Sequence, residues 1–482
     1  MSLQELAQRF EKLTNQQSEQ YYNQEAGLPY DRELMKKLAE KLTDVAQEFL
    51  DKFSEPRRMY LASIGTIASA ERLEAELDFN DKRMEKISTE KYTIDRKKLN
   101  WGNWRQFNSA TQEASKRKEV FDEFISKAPQ IAPFLEKRME ISRKVYERYH
   151  TTPLEAYLEL EQTSYKELQN LLEKLGDGAK KAYLSAAEHY APEVLQKNIV
   201  EYYDDFYTWG GRIYKPLNRY FEGKEPLVEV ARFLKALGFD ISAIKVDAED
   251  RPNKSPSASC WSINVPDDVR ILYRKTTPFS NFGAVFHEFG HGIHARSADR
   301  DDSVWKRYVV PSSVAETFSI LMESVSENPL WLKTELKLKE EATRDIVDRV
   351  RFMNLTFLTF YAANSIMKME FWKKKYTVEQ AAKRWQQLTK RFFIEVPGYY
   401  WVLHHVMPNF DLYAPSYVIA HVRVAAVKQK LVHDYGEEWW KKPQAGKFIK
   451  QLAQTEGEFD IKAWKLDPQT FLEEQKNLSF LQ

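Results

Sequence analysis

The chain has 482 residues, with 72 Lys plus Arg against 71 Asp plus Glu and a formal net charge of +1. That length can bury a large core and hold a deep site, while the balanced charge offers no global field for nucleic acid or an anionic membrane, so neither is expected as a partner. A single cysteine, Cys260, excludes an internal disulfide framework, a cysteine-rich zinc module and a CxxC redox pair, which leaves histidines and carboxylates as the ligands for any metal.

The first residues, MSLQELAQRFEKL, place acids and amides where a signal peptide needs a basic start and an apolar core. The most apolar stretch, Leu355 to Met367, is interrupted by Asn364 and Ser365 and falls short of the roughly 18 residues of a membrane span. A cytoplasmic location is the resulting expectation. Apolar residues at three- and four-residue spacing predict helices over Leu3 to Tyr22, Asp31 to Phe53 and Ile131 to Tyr149. Ser164 with Glu167 can form a capping box, Leu237-Gly238 ends a helix begun near Pro226, and Thr377 opens one running through Trp385 to Phe393. With only 16 glycines and no repeat of fixed period, the fold class is all-α, mostly helical, and not a solenoid.

A boundary at Trp209-Gly210-Gly211 divides an N-terminal helical lobe, 1–208, from a lobe that carries the chemistry, 209–482. The helical rhythm breaks from Arg251 to Thr277, where Pro252, Pro256 and Pro266 punctuate two short runs, SCWSINV and DVRILYR. These predict a small β-hairpin or sheet directly before the most informative motif. Its edge strand either holds an extended peptide through main-chain hydrogen bonds or merely covers the core.

Asn281 to Ser297 reads NFGAVFHEFGHGIHARS, and Ala284, Val285, Phe286, Phe289 and Ile293 make this a helix apolar around much of its surface, hence buried. His287 and His291, four apart, lie one turn above the other on the same face and can grip one ion from the same side. Glu288 is rotated away from that pair, so its carboxylate can reach a metal-bound water without taking a ligand position. The competing account makes all three satisfied polar groups in a buried helix, but such groups are costly without a partner and one divalent cation compensates them together.

Zinc with two histidines needs one more protein ligand and an open position. Pro311 to Phe318, PSSVAETF, supplies Glu316, 25 residues past His291. Two alternatives stand beside it: Ser313 and Glu316 form S-x-x-E, in which Glu316 only caps its own helix, and Glu323, seven residues on, is either the ligand or a support for one.

His287-Glu288-Phe289-Gly290-His291 with His294, and Glu316-Thr317-Phe318-Ser319 continuing to Glu323, resemble the HEFGHxxH and E-x-x-S-x-x-x-E segments of the thimet oligopeptidase and oligoendopeptidase F metallopeptidases. The resemblance implies one zinc ion held by His287, His291 and Glu316, with Glu288 as catalytic base. It also implies two helical lobes around a deep channel, and oligopeptide substrates cut at internal bonds. The match runs from Cys260 to Tyr417; the N-terminal half is similar only in helical character, and the chain is short for the family. Further on, His404-His405 and Tyr413-Ala414-Pro415-Ser416-Tyr417 resemble the late segment that donates hydrogen bonds to an oxyanion, which nominates His405, Tyr413 and Tyr417. The pattern departs at Pro408, which stands where the family has a histidine five residues before the first tyrosine. Ordinary packing is the competing account of Tyr413 in a chain with 25 tyrosines. A carboxypeptidase or dipeptidyl carboxypeptidase on a related helical scaffold is the alternative enzyme. A helical interaction protein with a structural metal site is the alternative of another class.

Overall fold

The computed structural model of the chain describes residues 1–89, 91–100, 103–204, 207–208, 212–403, 412–454 and 467–481; the boundary at Trp209-Gly210-Gly211 lies outside them. Helices dominate, and local chemistry starts them where the sequence places caps. Ser2 opens Leu3–Glu25, its hydroxyl accepting the Glu5 N–H at 3.3 Å while the Glu5 carboxylate accepts the Ser2 N–H at 2.7 Å. Asp31 caps Arg32–Lys52, and Ala132–Arg148 follows the predicted span. Reciprocal boxes at Ser164/Glu167 and Thr377/Gln380 open Tyr165–Leu195 and Val378–Phe392. Each satisfies N–H groups that a helix start leaves without partners. Pro226–Ala236 ends just before Gly238, whose φ of +84° only glycine adopts without strain.

The two runs around Pro266 form strands Ser259–Asn264 and Asp268–Leu272, paired antiparallel as the sequence predicts. A third strand, Ile244–Asp247, pairs parallel with the opposite side of Asp268–Leu272, so the sheet has three strands with Ser259–Asn264 at one edge. A separate small hairpin pairs Tyr92–Ile94 with Lys97–Leu99.

Side chains bury into two large apolar cores. One gathers around Tyr165–Leu195 and includes Phe121, Phe124, Leu172, Trp385 and Trp401. The other gathers Phe233, Phe282, Phe286, Phe318 and Trp331 around the helices Pro278–Ser297 and Ser312–Ser326. Two helices lie along the seam. Glu340–Lys374 gives Ile346 and Val350 to the second core and Leu355 to Trp372 to the first; Tyr413–Tyr435 gives Val418 and Val422 to the first and Ala420 and Val424 to the second. Among the described residues no helix is long and apolar enough to cross a membrane; the Leu355 to Met367 stretch is core of the 35-residue helix Glu340–Lys374.

Candidate metal centre

The helix Pro278–Ser297, here the histidine helix, is buried along most of its length. Its four-residue spacing brings the rings of His287 and His291 to 5.0 Å between centroids at an interplanar angle of 78°. The pair faces Ser312–Ser326, the glutamate helix, and the approach is set by Gly290. A Cβ at this position would lie 2.5 Å from the Phe318 carbonyl oxygen and 2.5 Å from the Ser319 Cα, so only glycine lets the two backbones come this close. The consequence is chemical. Glu316, 2% exposed, sets its Oε2 3.5 Å from His287 Nε2 and 3.7 Å from His291 Nε2.

One ligand atom from each of His287, His291 and Glu316 lies within 4.8 Å of the other two, and the group could hold a metal ion. Donors about 2.0–2.2 Å from a tetrahedral zinc stand about 3.3–3.6 Å apart. The spacing of Glu316 from both imidazoles therefore fits with little adjustment.

The capping account of Glu316 does not hold. The glutamate helix begins at Ser312 behind Pro311 with no side-chain cap. Ser313 instead gives its N–H and its hydroxyl to Glu161, and the Glu316 carboxylate accepts from the Tyr413 hydroxyl at 2.5 Å and the Ser319 hydroxyl at 2.9 Å. Glu323 lies on the other side of His287, its Oε2 2.8 Å from Nδ1. A carboxylate there accepts the Nδ1 proton and would turn Nε2 toward a metal once that nitrogen loses its proton, the support expected behind a metal-bound imidazole.

Five ionisable groups in one buried contact perturb one another. Burial pushes the Glu288 carboxyl up to about 7; His287 and the Cys260 backbone N–H oppose the shift, while Glu316 and Glu323 add to it. For His287, burial disfavours the imidazolium, but the hydrogen bond to Glu323 and the charges of Glu288 and Glu316 outweigh it and push the ring up to about 9. Burial, with the charges of His287 and His294, holds His291 well below the usual histidine range. His294, the last histidine of the motif, is buried, is pushed down to about 4 by that burial, and stacks on Phe318 at 4.5 Å. Its ring packs the two helices together.

His405 lies outside the described residues. Tyr413 and Tyr417 both reach the site, from the first turns of Tyr413–Tyr435, the tyrosine helix. The Tyr413 hydroxyl is engaged by Glu316. Tyr417 packs edge-on against Tyr413 at 5.0 Å and against Tyr361 at 6.1 Å. Burial and the nearby charges of Glu316, Glu288 and Glu323 raise its hydroxyl pKa, which keeps it a proton donor across the neutral range.

Glu161 is the residue that the sequence analysis missed. It is 2% exposed, at the end of Pro153–Leu160, and accepts from the Ser313 N–H at 3.1 Å, from the Ser313 hydroxyl, and from the Ser416 hydroxyl at 3.0 Å. One carboxylate thus ties the start of the glutamate helix to the start of the tyrosine helix. Tyr157 and Arg423 complete the cluster, through Ser416 at 3.0 Å and Thr317 at 3.2 Å. Only an acidic residue closing an apolar helix marked it in the sequence, and nothing local connects residue 161 with 313 and 416.

No family model matches the sequence, and no curated protein matches it. Among solved structures 129 chains match. One of them, described as the BsuCP crystal structure, superposes with a TM-score of 0.57 over 98% of this chain and 97% of that chain, at 16% sequence identity. The helical fold is therefore shared essentially end to end.

Gly290→Ala should destabilise the chain by about 1–3 kcal/mol through overpacking, against the roughly 1 kcal/mol that alanine ordinarily gains in a helix, and should weaken zinc binding. Thermal unfolding and metal titration check it; an unchanged midpoint and affinity would contradict the close-approach argument. Glu161→Ala, which leaves the Ser313 N–H buried without its acceptor, should cost about 1–3 kcal/mol and weaken zinc binding about tenfold through displaced Glu316. Metal affinity equal to wild type would confine Glu161 to the core. Glu316→Ala should lose zinc, whereas Glu323→Gln should keep it with affinity lowered about 10–100-fold; the opposite order in a metal titration would exchange their roles.

Proposed function

We propose that the chain is a zinc-dependent oligopeptidase that hydrolyses internal bonds of short, unstructured peptides. The observation that carries this reading is the convergence of His287 Nε2, His291 Nε2 and Glu316 Oε2 from two helices, with the Glu288 carboxyl poised near neutrality beside them. Two imidazoles and one carboxylate form the mixed nitrogen and oxygen donor set that suits zinc and leaves a position open. Zinc, when bound, supplies Lewis acidity, lowering the pKa of a coordinated water from about 15.7 toward about 7 and polarising a carbonyl oxygen.

In this reading Glu288 takes the proton of the attacking water and returns it to the leaving amine, and burial, which favours its neutral form, eases the first transfer. Tyr417 donates its hydroxyl proton to the oxygen that gains charge as the peptide carbonyl becomes tetrahedral. Tyr413 can join it by exchanging its hydrogen bond from Glu316, and His405 is the third donor by resemblance. The edge strand Ser259–Asn264 lies beside this machinery, and the Cys260 N–H already points at Glu288. Other outward groups of that edge suit an extended peptide backbone. The resemblance of the motif to the thimet oligopeptidase and oligoendopeptidase F enzymes supports this assignment, and the reading carries with it a cytoplasmic location and oligopeptide partners.

A carboxypeptidase reading needs a cation able to fix the substrate's terminal carboxylate. Two cations, Arg351 and Lys428, line the cavity next to the site, and both are engaged, by the Asn477 carbonyl and by Glu474 at 2.7 Å. Neither is left over for a terminal carboxylate in that cavity, and mass mapping of the products of one decapeptide separates the two modes.

Glu288→Gln should retain zinc while hydrolysis falls by about 10²–10⁴-fold, the range of a lost general base; wild-type turnover would remove the assignment. Chelation should abolish hydrolysis with the fold retained and zinc should restore it, whereas a purely structural ion would take the fold with it. Metal analysis, peptide digestion and circular dichroism read these outcomes.

A further inference from the structure

Alongside the metal centre, and not used by the chemistry above, is a cavity of about 490 Å³ between the glutamate helix, Glu340–Lys374, the tyrosine helix and Pro468–Lys476. It is far larger than the roughly 10–15 Å³ that a single water needs. Its position relative to the site is fixed by shared residues. Glu323, which holds the back of His287, lines it, and so does Tyr361, whose ring packs edge-on against Tyr417. Its walls are apolar and aromatic: Val347, Met353, Phe357, Tyr361 and Phe471. His421 stacks between two of these, 4.7 Å from Phe357 and 5.3 Å from Phe471, and burial pushes its ring down to about 4, so it contributes no positive charge near neutrality.

One group in this cavity lacks a counterpart. Glu327, the half-buried C-cap residue of the glutamate helix, stands one turn beyond Glu323 and lines the cavity, and no donor among the described residues hydrogen-bonds its carboxyl. Burial and the charges of Glu323 and Glu474 push it up to about 8, against the opposing charge of Lys428. The two cations that line the cavity already have partners, Lys428 with Glu474 and Arg351 with the Asn477 carbonyl. A ligand that brings its own positive charge favours the ionised form of this carboxyl and pairs with it, and an apolar stem satisfies the walls.

We propose that this cavity is a substrate subsite that selects a long apolar stem ending in a cation, with Glu327 as the residue that reads the charge. The assignment rests on the oligopeptidase reading for its place beside a scissile bond. The chemistry has two sources within a peptide, an arginine or lysine side chain and the free N-terminal ammonium; we assign the side chain, because the aromatic walls match a stem with several methylenes.

Two measurements on the zinc-loaded chain test it. In the first, decapeptides carrying arginine or the uncharged, straight-chain norleucine at each position, with free or acetylated N-termini, are digested by wild type and Glu327→Gln. The expected result is a ten- to hundredfold advantage in kcat/KM for arginine at one position flanking the cut, independent of acetylation, shrinking to less than threefold in Glu327→Gln. Equal rates for arginine and norleucine, an advantage that survives Glu327→Gln, or dependence on a free N-terminus would overturn it. In the second, calorimetry compares 4-phenylbutylamine, 4-phenylbutanol and 4-phenylbutyrate. The amine should bind at least tenfold tighter than the alcohol, with the difference lost in Glu327→Gln and reduced in Glu327→Asp; preference for the carboxylate would overturn the charge assignment. If no peptide is cleaved while the amine selectivity persists, the oligopeptidase reading fails and the cation pocket stands. If peptides are cleaved without amine selectivity, the pocket fails and the oligopeptidase reading stands.

Discussion

Charge removed from water must be matched within hydrogen-bonding distance, and the geometry around the histidine helix follows from that requirement. His287, His291, Glu288, Glu316 and Glu323 are confined to the contact between two buried helices, where they compensate one another. The contact is tight because residue 290 has no side chain, and it is held in register because Glu316 and Glu323 each have a defined second role. Glu316 accepts from Tyr413 and Ser319; Glu323 fixes the tautomer of His287. With both carboxylates held, a cation entering between the imidazoles meets donor atoms already spaced for it, so little ordering free energy remains to be spent on binding.

The glutamate helix organises more than the ion. Its face carries Glu316, Glu323 and Glu327 at seven- and four-residue intervals, the spacing that stacks side chains along one line of a helix. Along that line the environment changes from candidate metal donor, to support for an imidazole, to a carboxyl in a largely apolar cavity. The tyrosine helix runs beside it with Tyr413, Tyr417 and His421 in the corresponding order. Chemistry and recognition are thereby laid out along two adjacent helices, and a change that rotated either one would disturb both.

Much of this was legible in the sequence, for reasons that differ by element. Helix starts at Ser164 and Thr377 could be read because capping chemistry is local, and the pair Ser259–Asn264 and Asp268–Leu272 because proline and polar residues punctuate two short runs. Strand Ile244–Asp247 escaped because four residues beside a helix end carry too little alternation, and its partner arrives from 25 residues away. The histidine spacing fixed one half of the candidate site outright. The choice among metal ligation, self-capping and Glu323 at position 316 needed tertiary structure, because an S-x-x-E pattern is common to all three accounts. Glu161 was invisible for the same reason: its partners are 152 and 255 positions away.

That reach gives the molecule a timetable. Glu161 is made early, the two imidazoles and Glu316 midway, and Tyr413 and Ser416 late, yet a single cluster of hydrogen bonds requires all of them. A nascent chain that has just emerged with its histidine motif still lacks the tyrosine helix that braces Glu316 and shuts one wall of the cavity. The bracing of Glu316 thus waits until the start of the tyrosine helix packs against the segment that holds Glu161 and Ser313, which makes it a late event for a motif made midway.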